Sequence, residues 1–143
     1  MADAVVLDTS AILALTGNEP GADEVHMHLT DAIAGRIRLY ASFVSLTEVE
    51  YITLQVRGAE TARQRLADLS ASPIEWLHSD AALCSAAAKL KAAHKISFAD
   101  AFVAATAQRF DALLIHKDPE FQTLAGVVKQ QMLPPKSGVP GAS

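Results

Sequence analysis

The chain has a single cysteine, Cys84, which leaves it neither an intramolecular disulfide nor a zinc site built from several thiolates. It also lacks a basic surplus: 12 Lys and Arg against 16 Asp and Glu give a formal charge of −4. No global positive field therefore draws nucleic acid in, and a polyanionic substrate would need a local basic patch or a bridging cation. No stretch reaches the roughly 18 uninterrupted apolar residues of a membrane span. Met1-Ala2-Asp3-Ala4 has neither the basic region nor the apolar run of a signal peptide, so the expected location is cytoplasmic, away from membranes. There is no Gly-rich loop to cradle a phosphate. The first strand-end acid, Asp8, is followed by Thr9-Ser10 and not by a second Asp two residues on.

What the chain does have is a core. At 143 residues, half hydrophobic and a fifth charged, it suits one globular domain. The apolar residues 4–7 predict a first strand ending at Asp8, followed by a short helix over 11–15 that Gly17-Asn18-Glu19-Pro20-Gly21 breaks. A helix over 21–34, a strand over 37–41, and a helix opened by Ser45-Leu46-Thr47-Glu48 and stopped by Arg57-Gly58 follow. Further on come helix 59–71, strand 74–77, helices 80–93 and 98–109, strand 112–115, a short helix after Asp118-Pro119, and a last small strand at Val127-Val128. Short strands alternating with helices predict an α/β fold: a parallel sheet flanked by helices on both sides. The domain is placed at 1–133. The Pro- and Gly-rich segment 134–143 reads as a disordered tail.

Asp100 is the most informative residue. It lies in Ser97-Phe98-Ala99-Asp100-Ala101-Phe102-Val103-Ala104-Ala105, a helical run apolar on every side, with no local Lys or Arg. A helix apolar all round is buried, and a buried carboxylate needs compensation. Three other acids share such a setting: Asp8, Glu48 and Asp118 each stand where a strand ends or the next helix begins. Those places converge at one edge of a parallel sheet, where open α/β folds build their sites. Capping accounts for each acid singly. Ser45 to Glu48 and Ser97 to Asp100 have capping-box spacing, Asp118 precedes Pro119, and Asp8 can cap the helix after it. Capping does not account for four acids at the same end. Hard oxygen ligands without His or Cys companions suit Mg2+ or Mn2+.

These segments resemble the PIN-domain ribonucleases, most closely the VapC-type toxins of bacterial toxin–antitoxin pairs. The matching pieces are Val5-Val6-Leu7-Asp8-Thr9-Ser10-Ala11, Ser45-Leu46-Thr47-Glu48-Val49, Ile96-Ser97-Phe98-Ala99-Asp100-Ala101 and Leu114-Ile115-His116-Lys117-Asp118-Pro119-Glu120-Phe121. The resemblance spans residues 4 to about 130 and implies a metal-dependent endoribonuclease whose acidic cluster is Asp8, Glu48, Asp100 and Asp118, serving as catalytic and metal-binding residues. It also implies an RNA substrate, a cognate antitoxin and a homodimer. One departure stands out: the family usually carries Thr or Ser two residues before the last aspartate, and here it is His116. That histidine is read as a contact for water or phosphate at the cation, or as a solvent-facing ring. Glu120 is read as an outer fifth carboxylate or a solvated helix start, and Thr9 and Ser10 as caps or as helpers near the metal.

Two other functions compete: a magnesium phosphohydrolase acting on DNA or a small phosphate ester, and a PIN fold that binds RNA or protein without cutting. The remaining reactive side chains read blandly. Cys84 is expected to be buried, His26 and His28 face different directions, and Arg57, Arg63 and Arg65 form a solvated face or a docking surface.

Overall fold

The structure is a computed structural model, and it describes residues 3–135. Five strands, β1 (Asp3–Leu7), β2 (Ile37–Ser42), β3 (Glu75–Leu77), β4 (Leu113–His116) and β5 (Gln130–Met132), form one parallel sheet in the order β3-β2-β1-β4-β5. Between them run α1 (Thr9–Thr16), α2 (Ala22–Ile33), α3 (Phe43–Arg57), α4 (Ala59–Ser70), α5 (Ala81–Ala93) and α6 (Phe98–Arg109), then a 3₁₀ helix, Pro119–Leu124. The predicted alternation of strands and helices is the one observed.

Strand side chains alternate between faces, and a parallel sheet buried on both sides must be apolar on both. Val6, Tyr40 and Leu114 pack on one side with Leu83, Ala87 and Leu90 of α5 and the body of α6. Val5, Leu7, Leu39, Ala41 and Ile115 pack on the other with Ala11, Ile12, Val25, Val49 and Leu69. In α6, every residue from Asp100 to Ala107 is buried. Because β1 is central and the chain leaves it in both directions, the strand order reverses between β1 and β4. Asp8 and Asp118 follow the C-terminal ends of these two strands, at the crevice where such sheets bind ligands.

Three local expectations change. The last strand is Gln130–Met132, not Val127-Val128: Gly126 takes φ 83°, the N–H groups of Val127 and Val128 turn back to the Leu124 carbonyl, and Val128 drops into the core. The helix after β2 begins at Phe43, capped by Ser42, whose hydroxyl accepts the Val44 N–H. Ser45 therefore lies inside the first turn and opens no capping box with Glu48. Cys84 is exposed, because α5 buries Leu83, Ala87 and Leu90 and the next position turns away from that stripe. Of the segment 134–143, residues 136–143 lie outside the described residues.

Gly21 joins α2 to the segment after β5. Its φ is 96°, and an added Cβ would sit 3.0 Å from Leu133 Cβ. Gly21→Ala should cost roughly 2 kcal/mol, combining left-handed backbone strain with crowding. Denaturant titration measures it, and an unshifted midpoint would speak against this packing.

Candidate metal centre

Asp8 continues the β1 ladder, its N–H donating to the Ile115 carbonyl at 2.9 Å. It then caps α1: Oδ2 accepts the Ser10 N–H at 3.1 Å and the Ser10 hydroxyl at 2.5 Å. Ser10 Oγ also accepts the Lys117 N–H at 2.9 Å, so one hydroxyl ties the end of β1 to the loop after β4. The other carboxylate oxygen, Asp8 Oδ1, is buried and has no hydrogen-bond partner among the described residues. Capping therefore uses only half of this carboxylate.

Glu48 lies one turn into α3 and is held from α1. Thr9 Oγ1 donates to Glu48 Oε1 at 2.6 Å and has Ser45 Oγ 2.8 Å away. Thr9 is thus neither the cap, which is Asp8, nor a free group. Ser45, which spacing alone marked only as a helix opener, is part of this buried connection.

Asp100 stands in the first turn of α6, where Ser97 Oγ accepts its backbone N–H at 3.1 Å. Asp118 caps the 3₁₀ helix, its Oδ1 accepting the Glu120 N–H at 2.9 Å, with Pro119 between them. That turn brings Glu120 inward. Oxygens of Asp100, Asp118 and Glu120 all lie within 4.8 Å of one another. Glu120 therefore joins two of the four expected acids at close range, while Asp8 adjoins them electrostatically and Glu48 adjoins Asp8. The Asp-Pro-Glu spacing contained the signal for Glu120: an N-cap aspartate binds the N–H two residues on, and so draws that residue toward itself.

His116 is buried, at 1 % exposure, so it does not face solvent. Both ring nitrogens are occupied. Nδ1 accepts the Asp118 N–H at 3.1 Å, and Nε2 lies 2.9 Å from Gln130 Oε1 on β5. Gln130 in turn donates from Nε2 to the Phe121 carbonyl at 2.9 Å. Burial holds the imidazole below its ordinary pKa.

Among the described residues, none of the five acids has a Lys or Arg partner within salt-bridge distance. The nearest cation in sequence, Lys117, is turned away: its Nζ donates to the Pro20 carbonyl at 2.8 Å. Burial pushes the Asp8 carboxyl from 3.8 to about 6, partly offset by the bonds from Ser10 and slightly assisted by Glu48. Asp100 is pushed much further in the same direction, first by burial, then by its hydrogen bond to Glu120 and by the charges of Asp8, Asp118 and Glu120. A hard cation fits this donor set. Oxygen ligands 2.0–2.6 Å from one ion lie about 3–5 Å apart, and among the described residues Asp8 Oδ1 has no donor and the carboxylates have no counter-charge.

Comparison with known proteins follows this geometry. The PIN domain family model matches residues 5–127, and the chain belongs to the PIN-domain family. VapBC2 from Rickettsia felis, solved bound to a DNA fragment from its promoter, shares the fold at TM-score 0.73 and 17% identity, over 92% of this chain and 99% of that one. VapC20 of Mycobacterium tuberculosis, a sarcin-ricin loop cleaving toxin, matches at TM-score 0.67 and 20% identity over 87% and 95%. VapBC-5 from the same organism matches at TM-score 0.60 and 26% identity over 90% and 96%. Comparison with curated proteins gave no match.

Raised carboxyl pKa values mean that the metal-free folded state holds more protons than the unfolded one, so its stability falls as pH rises. For Asp8 the fall runs from 3.8 to about 6; for Asp100 it continues higher. In chelator, the protein should melt higher at pH 5 than at pH 8, with Asp8 alone contributing roughly 1 kcal/mol of that difference. Manganese should raise the melting temperature at pH 8, and Asp100→Asn should raise it without metal while blunting the manganese response. Melting curves indifferent to pH, chelator and manganese would remove the cation from the picture.

Proposed function

We propose that this protein is a Mg2+- or Mn2+-dependent endoribonuclease, the toxin of a type II toxin–antitoxin pair. The observation that carries the proposal is the close grouping of Asp100, Asp118 and Glu120, adjoined electrostatically by Asp8 with its unpartnered Oδ1, with no basic side chain among the described residues to balance them. Membership of the PIN family and the likeness of the fold to VapBC structures support the same reading.

A bound cation supplies water of lowered pKa and neutralises charge on a scissile phosphate. Asp100, Asp118 and Glu120 would hold it, with Asp8 Oδ1 as a further donor. Asp118 or Asp100 orients the attacking water and takes its proton. Glu48, held by Thr9, adjoins Asp8. A cognate antitoxin would silence the site by placing an Arg against the carboxylates, where bidentate pairing substitutes for the cation. A groove of about 940 Å³ opens beside Ser10, Lys117 and Pro119, with apolar walls from Ile52 and Val56 and basic side chains from Arg57 and Arg65. It offers such a partner both apolar surface and charge. Exposed Tyr51 and Leu54 on α3 and Phe98 at the start of α6 supply apolar surface for a homodimer.

Expressed without a partner in a bacterium, the protein should slow growth and leave new RNA ends, which mapping of transcript termini would locate. Asp8→Asn and Asp100→Asn should each lower cleavage by orders of magnitude, because a missing ligand displaces both cation and water. Purified protein should cut RNA only with Mg2+ or Mn2+ present. Equal toxicity of native and Asp100→Asn protein at matched soluble levels would favour a non-catalytic binding role. Cleavage confined to DNA or small phosphate esters would favour the phosphohydrolase.

A further inference from the structure

Behind the acids lies a polar relay that holds no cation itself. It starts at Gln130 on the edge strand β5, passes through His116 at the end of β4, and ends on the backbone of Asp118. The direction of each bond follows from its fixed ends. An amide N–H can only donate, so His116 Nδ1 must accept from Asp118 and carries no proton. In a neutral ring the proton then sits on Nε2, which donates to Gln130 Oε1. The Gln130 amide is oriented by the Phe121 carbonyl, which accepts from its Nε2, so its oxygen must face the imidazole. The Phe121 ring lies against His116, with centroids 4.9 Å apart, and fills the remaining side.

We infer that His116 and Gln130 are positioning residues that set the turn carrying Asp118 and Glu120 against Asp100. This rests on the cation site proposed above. The turn is short: Asp118 takes the Glu120 N–H on its side chain and gives its own N–H to His116. Without an acceptor at Nδ1, the Asp118 N–H is orphaned beside a buried wall, and the turn is free to rotate both carboxylates out of reach of Asp100. Gln130 contributes by excluding the other tautomer, in which Nδ1 would carry a proton and repel that N–H. Groups supporting a ligand in this manner typically change metal affinity about 10- to 100-fold when removed.

The test separates the two ring nitrogens in the full-length protein. In His116→Asn the shorter amide can still accept the Asp118 N–H, as Asp8 and Asp118 accept the N–H two residues on, but it does not extend to Gln130. In His116→Gln the longer amide reaches toward Gln130 and leaves Asp118 without its acceptor. Manganese titration calorimetry should show His116→Asn within about threefold of native affinity and His116→Gln weakened about tenfold or more. Gln130→Ala should weaken manganese binding in the native background and add nothing to it in His116→Asn. Both His116 variants binding as native, or both weakening in step with their melting temperatures, would overturn the inference. If native protein binds no manganese, the proposed nuclease fails. Nitrogen-15 NMR of the imidazole then decides the relay on its own: a proton on Nε2 sustains it and a proton on Nδ1 overturns it.

Discussion

Negative charge concentrated at the mouth of a parallel sheet, without a basic side chain among the described residues to oppose it, is the constraint on which this structure turns. Two unit charges 4 Å apart at an effective dielectric near 20 repel by about 4 kcal/mol. Helix N-termini offset part of this, and Asp8, Asp100 and Glu120 all sit in or beside first turns. A helix end is worth roughly 0.3–1 kcal/mol and at most about 2. The dipoles therefore soften the repulsion without cancelling it, and protonation or a divalent cation must supply the remainder. Lys117 would have been the obvious neutraliser, yet its ammonium donates to the Pro20 carbonyl and pairs with Glu19 at 3.8 Å, and its side chain is only 11% exposed. The fold keeps its own cation out of the cluster.

One local device places most of these groups. At the end of β1, Asp8 accepts the N–H two residues on; at the end of β2, Ser42 does the same; after β4, His116 and then Asp118 do so in succession. Such turns stop a strand, satisfy an orphan N–H and fix the side-chain direction together. Capping and site-building are consequently not alternatives in this chain. A carboxylate has two oxygens, and one can hold the turn while the other is left for a ligand: in Asp8 one oxygen takes both bonds from Ser10 and the other is buried without a partner among the described residues.

What could be read from sequence followed from patterns that are local. Asp100 announced itself because an acid inside an all-apolar helix has few explanations, and the strand-end positions of Asp8 and Asp118 followed from apolar runs that stop abruptly. Ser42 and Ser45 are both plausible caps three residues apart, and only the extension of β2 through Ser42 decides between them. Contacts made by tertiary structure were illegible for a different reason. Ser45 meets Thr9 across 36 residues, and Gln130 meets His116 across 14, on a strand whose sequence, Gln130-Gln131-Met132, has no β-branched signature. Val127-Val128 has that signature and is a turn, because a buried valine beside a left-handed glycine serves the core as well as a strand does.

Carboxylates that hold a hard cation against a phosphate act on what every phosphodiester has in common, so they cannot choose among substrates. Structures 17% to 26% identical to this chain keep its fold over nearly their whole length, which leaves ample room for surfaces to diverge around a fixed sheet edge. With a net charge of −4, this chain has no general attraction for RNA. On the proposed function, discrimination would reside where basic side chains gather near the site. Arg57 and Arg65 line the groove that also holds Ser10 and Pro119, and Arg65 donates to Thr53 Oγ1 at 3.2 Å. A surface that suits a phosphate backbone there also suits an acidic protein segment, whereas the acids of the site suit a cation or an Arg in its place.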